Sequence, residues 1–144
     1  MTTHDTALDL TRPAHNGVYF VDEADLDALA TSARRETLGV GRIDLAGCLD
    51  KDTLLQRIAH TLSLPASFGY NWDALADCLR DPAWNPGWGL ALLFGHADAL
   101  RQASAVDFDI LLGILDDAAT FAQDEELPFF AFLALPEPEQ PLPA

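Results

Sequence analysis

Apolar and polar positions along the chain switch between two periods, and the switches mark its elements. Gly17-Val-Tyr-Phe-Val21 is a short β-prone run, and after it Leu26, Leu29, Ala30 and Ala33 recur at the spacing of one helical face. This predicts a β-α unit. A second unit opens with a strand over Val40 to Leu45, and Asp50 is placed to cap a helix whose Leu54, Leu55, Ile58 and Leu62 form a face ending at Pro65. A shorter helix from about Asn71 to Asp81 stops at Pro82, whose ring blocks continuation. Trp84 to Gly89 reads as a Pro/Gly/Trp loop. The continuous apolar run Leu90-Ala-Leu-Leu-Phe94 has the character of a parallel strand buried on both faces. His96 to Gln102 reads as a short helical turn. Ser104-x-x-Asp107 then gives a capping-type start to a helix with Phe108, Leu111, Leu112, Leu115 and Ala118 on one side, and Phe129 to Leu133 forms a fourth strand.

Strands separated by helices imply crossover connections, so the predicted fold class is α/β, with a small, mostly parallel β-sheet packed with helices. Residues 1–16 are polar, contain Pro13 and read as a loose arm or cap. Residues 17–134 form one domain, within which 17–38 is an N-terminal β-α unit ahead of a core at 39–134. The segment 135–144 has four prolines in ten residues and reads as an extended or disordered tail.

Composition narrows the functional classes. A chain of 144 residues with 49% hydrophobic content fits one domain with a sizeable core. Twenty-three acidic against 8 basic residues give a formal net charge of −15, which repels a phosphate backbone and an anionic membrane surface. Neither direct nucleic-acid binding nor membrane binding is expected. The same field attracts a basic protein and speeds the encounter, although acidity for solubility is the competing explanation. Cys48 and Cys78 are too few for a disulfide framework or a zinc site and read as reduced core thiols. No secretory signal and no long apolar span is visible, so a cytoplasmic location is expected. There is no glycine-rich phosphate loop, so neither a nucleotide nor another cofactor is expected.

The most informative segment is Phe68-Gly-Tyr-Asn-Trp-Asp-Ala-Leu-Ala-Asp-Cys-Leu-Arg-Asp81. Asp73, Asp77 and Asp81 recur every four residues and line one helix face as a carboxylate stripe. Like charges at that spacing destabilise a helix, and Asp81 near the C-terminal end also opposes the dipole. Asp73 has a local explanation, since it falls in the first turn, where Asn71 can cap the helix. The buried side is either Trp72, Leu75, Ala76 and Leu79 or Ala74, Leu75, Cys78 and Leu79; both leave Asp73 and Asp77 outside. Such a stripe is either a solvated face, with Arg80 partly neutralising Asp77, or a docking surface for arginine and lysine.

Leu64-Pro65, Phe68 to Leu75 and Asp77-Cys78-Leu79 together resemble the signature of the barstar family, intracellular inhibitors of secreted ribonucleases. The resemblance extends more loosely from about Val40 to Leu133. It implies a three-stranded parallel sheet with helices, extended here by the β-α unit at 17–38, and a helix with its preceding loop that plugs a ribonuclease active site. Asp73 and Asp77 would then occupy the enzyme's phosphate-binding cluster of basic side chains. Phe68, Gly69, Tyr70, Asn71, Ala76 and Arg80 would lie at the interface, with Tyr70, Trp72 and Trp84 as replacement aromatic area and Trp72 reading equally as core. Asp117 would be a further acidic contact, in competition with Asp116. Ser67 and Ala76 stand where the family's best-known inhibitor has aromatic contacts, and Arg80 where it has a small hydroxyl residue. Two aromatic anchors are thereby lost, and Arg80 repels a very basic site.

Two other classes compete. An enzyme would use Asp73 and Asp77, or Asp116 and Asp117, as Mg²⁺ ligands or as acid and base. However, His4, His15, His60 and His96 are scattered, and neither cysteine has a basic neighbour, so no enzyme and no metal site is expected. A protein-interaction or regulatory module would keep the fold and bind a partner other than a ribonuclease. The leading expectation is an inhibitor of a basic bacterial ribonuclease, secreted or toxin.

Overall fold

The computed structural model describes residues 8–65, 67–81 and 88–135. Four strands and five α-helices follow one another as β1 (Gly17–Val21), α1 (Leu26–Arg35), β2 (Gly39–Asp44), α2 (Lys51–Leu62), α3 (Trp72–Leu79), β3 (Leu90–Gly95), α4 (Asp98–Ala103), α5 (Ala105–Asp124) and β4 (Phe129–Ala134). The strands form one sheet in the order β1-β4-β3-β2, and all three neighbouring pairs are parallel. The two runs with no polar residue, β3 and β4, take the central places, where both faces are covered and every position is buried.

Alternation along the central strands feeds two cores. Leu92, Phe94, Phe129, Ala131 and Leu133 face the layer of α2, α3, α4 and α5, where they meet Leu54, Leu55, Ile58, Leu75, Phe108, Leu111 and Leu115. Ala91, Leu93, Phe130 and Phe132 face the other way, against Leu26, Ala30 and Ala33 of α1 and against Leu10. The helix starts follow capping chemistry: Asp50 Oδ1 accepts the Thr53 N–H at 2.8 Å, and Ser104 Oγ accepts from the Asp107 N–H at the head of α5.

Over residues 8–16 the N-terminal segment is a cap rather than a loose arm. Leu10 is buried, Pro13–His15 makes a 3-10 turn, and the Asn16 side chain donates to the carbonyls of Ala119 and Leu127 and accepts the Phe129 N–H at 2.7 Å. One amide thus ties the start of the chain to the α5–β4 turn. The helix predicted over Asn71 to Asp81 is shorter: it spans Trp72–Leu79, and the Asp81 N–H bonds the Cys78 carbonyl beyond its end. The stripe is therefore two helical carboxylates with Asp81 past the terminus. Residues 136–144, Ala66 and 82–87, including Pro82 and Trp84, lie outside the described residues.

Candidate functional site

Helix α3 is held by its apolar side and displays its acidic one. Leu75 and Leu79 are buried in the α2–α5 core, with Trp72, Ala74 and Cys78 packed at its margin. The buried arc thus combines both apolar faces read from the sequence, except that Ala76 turns outward. At 100° per residue, Asp73, Ala76, Asp77 and Arg80 share the opposite arc, and Asp73, Asp77 and Arg80 are exposed there.

The preceding loop is fixed at both ends. Phe68 is only 5% exposed, and its N–H bonds the Pro65 carbonyl at 2.8 Å, so it anchors the loop from within the core. Asn71 caps α3 by accepting the Ala74 N–H at 2.7 Å, and its amide reaches back to the Gly69 carbonyl at 3.4 Å. Between these anchors Tyr70 is pushed outward, 52% exposed, with its ring tilted against Phe68 at 4.9 Å between centroids. Tyr70 has φ +53°, a left-handed conformation that costs a side-chain-bearing residue about 1–2 kcal/mol. Thr37, Ser63 and Glu126 also have positive φ, but they follow α1, α2 and α5, where helices ordinarily terminate that way. Tyr70 has no such role, and its strain is held by the Phe68 and Asn71 anchors on either side. An open groove separates its ring from Asp52 and Gln56 of α2.

The two helical carboxylates differ. Asp77 Oδ1 accepts from Arg80 Nη2 at 3.0 Å, and Arg80 Nε also donates to the Ala76 carbonyl at 3.2 Å. Among the described residues Asp73 has no ion-pair partner. Burial pushes the Cys78 thiol up, with help from Asp81 and Asp77, and burial likewise raises Cys48, so neither is a ready nucleophile. Asp116 and Asp117 are both exposed on α5; Asp117 lies on the side away from the buried stripe of Phe108, Leu111, Leu115 and Ala118, and no hydrogen bond joins it to α3 among the described residues. Among those residues, too, no three His, Cys, Asp or Glu side chains are placed to hold a metal ion, and no helix is long and apolar enough to cross a membrane.

A second polar cluster joins residues far apart in the sequence. His96, directly after β3, has φ +54° and places Nδ1 3.0 Å from Asp44 Oδ1 at the end of β2, while its N–H donates to Glu23 Oε1 at 3.1 Å. The Asp44 bond, with the Glu23 charge behind it, raises the imidazole above its ordinary 6.5. Asp44 is held below the usual carboxylate value by the Ala46 N–H and then by His96. His96 follows β3 directly, and its two partners come from distant parts of the chain. The cluster clasps the ends of β2 and β3 to the 3-10 turn that follows β1.

Residues 39–134 match the family model Barstar, described as barnase inhibitor. A comparison with curated proteins found no match. Among solved structures, a chain from the structure of Drosophila ORC bound to DNA is similar at a TM-score of 0.53 and 15% sequence identity, over 85% of this chain and 32% of that one. At that identity the likeness concerns the fold alone.

Proposed function

Because the chain belongs to the barstar family, we propose that it inhibits a basic ribonuclease by seating the outward side of α3 and the loop at 67–71 in the enzyme's phosphate-binding cleft. What carries this reading is the posture of α3. Leu75 and Leu79 fix the helix in the core, while Asp73 and Asp77 stand free of it, one turn apart. A carboxylate held on a rigid helix replaces a substrate phosphate among guanidinium groups without ordering cost at the moment of binding. Tyr70, displayed in a strained loop, supplies the aromatic area that Ser67 and Ala76 lack. Gly69 contributes by its bareness: a Cβ there would come 3.0 Å from Asn71 Nδ2, the capping amide. The net charge of −15 steers the encounter with a cationic enzyme.

The test is titration against small basic bacterial ribonucleases, following RNA cleavage at about 20 and about 150 mM salt. Tight inhibition that weakens with salt supports the reading; failure to inhibit or bind any of them counts against it. A second reading, a regulatory module with a partner other than a ribonuclease, is favoured by one observation: Arg80 already occupies the Asp77 carboxylate. Such a partner would bind with little salt dependence.

A further inference from the structure

Helix α5 carries apolar side chains on its outer as well as its inner side. Its inner side packs on the sheet through Phe108, Leu111, Leu115, Ala118 and Ala119. On the side away from that core, Val106 is 70% exposed, Ile110 37% and Phe121 40%. At 100° per residue, Val106, Ile110, Gly113, Asp117, Phe121 and Asp124 fall within a sector of roughly 80°, whose apolar positions run about 22 Å from Val106 to Phe121. A surface helix with a single duty shows a polar outer face there. Phe20, 56% exposed on edge strand β1, is a further exposed apolar side chain, on the sheet face that Val18 turns toward this helix layer.

Gly113 is the second observation. A glycine in the interior of a 20-residue helix weakens it relative to alanine, and a Cβ here would meet nothing within 4 Å. The fold gives no reason for the bare backbone, whereas a partner lying close along the stripe does. Charge then identifies that partner. Helix α5 contains no Lys or Arg, and Asp107, Asp109, Asp116, Asp117 and Asp124 are spread along it. Two copies of a chain of net charge −15 would set these carboxylates against each other.

We propose that the outer side of α5 is a second docking surface, separate from α3, for a basic amphipathic helix of another protein. The apolar stripe takes the partner's apolar face, Gly113 admits its backbone, and Asp117 with its acidic neighbours pairs its lysines and arginines.

The probe is an 18-residue peptide with leucines at helical i, i+3, i+4, i+7 spacing and lysines elsewhere, compared with a scrambled peptide of identical composition. Binding to the full chain is measured by calorimetry. The amphipathic peptide is expected to bind at least about tenfold tighter than the scrambled one. Ile110→Asp with Phe121→Asp removes that preference, Gly113→Leu weakens it without lowering the melting temperature, and Asp73→Ala with Asp77→Ala leaves it intact. Equal binding of the two peptides, survival of the preference in the Ile110/Phe121 variant, or its loss in the Asp73/Asp77 variant would overturn the proposal. So would a sedimenting dimer that the Ile110/Phe121 variant dissolves, which would make a second copy the occupant.

Discussion

Removing Arg80 should strengthen inhibition. In the free protein its guanidinium holds Asp77 at 3.0 Å, with the two side chains 44% and 77% exposed, so Arg80→Ala forfeits a solvent-screened i,i+3 pair worth about 0.2–0.5 kcal/mol. On docking, Asp77 must share its carboxylate with a partner cation. Two cations on opposite oxygens of one carboxylate stand roughly 7 Å apart and repel by about 0.6 kcal/mol in water-like screening, or about 2.4 kcal/mol at an effective dielectric near ~20. The second effect exceeds the first. Arg80→Ala is therefore expected to lower the inhibition constant about 3- to 50-fold, with the larger gain at low salt, while shifting the urea midpoint only slightly. The assay is RNA cleavage by an inhibited ribonuclease, run with both proteins at two ionic strengths. Weaker inhibition by Arg80→Ala would refute the reasoning, because it would mean that Arg80 itself meets a partner carboxylate.

Three further outcomes follow from the same geometry. Asn16→Ala leaves two carbonyls and one N–H without their bonds at the α5–β4 turn and should cost about 2–3 kcal/mol in urea unfolding, with early loss of amide-exchange protection at Phe129. Phe68→Ala empties a core position and releases Tyr70, so it should cost about 3–5 kcal/mol and weaken inhibition as well. His96 titrates higher in the folded chain than in the unfolded one, so its clasp adds stability fully below about pH 6.5 and loses it as pH rises through the folded value; Asp44, depressed, loses its share only as pH falls through its own lowered value. Melting temperatures of the wild type and His96→Ala should accordingly differ at pH 5.5 and converge at pH 8.5.

The parts of this fold that were legible in the sequence are those decided within one turn or one strand. The apolar run Leu90–Phe94 reads as a strand buried on both faces, Asp50 and Asn71 sit where a helix start needs an acceptor, and the i, i+3, i+4, i+7 spacing of α1 named its buried side. What stayed hidden depends on distant partners. The order β1-β4-β3-β2 is a matter of long-range pairing, and Asn16 owes its role to residues more than a hundred positions away. At the site, Asp73 and Asp77 were readable as outward because every choice of apolar face excluded them. Phe68 and Tyr70 were not separable: both are aromatic, two residues apart in a loop without periodicity, and the left-handed turn at Tyr70 decides which is core and which is display. The outer stripe of α5 was masked by the helix's overall hydrophobicity, which reads as core.

The most direct measurement of the central claim is the inhibition constant of Asp77→Ala against a basic ribonuclease that the wild type inhibits. The account predicts a loss of about 2–5 kcal/mol of binding, roughly thirty- to several-thousand-fold, together with a shallower salt dependence, because a buried cation of the enzyme is left unpaired. Unchanged inhibition, with unchanged salt dependence, would contradict it and take the acidic side of α3 out of the interface.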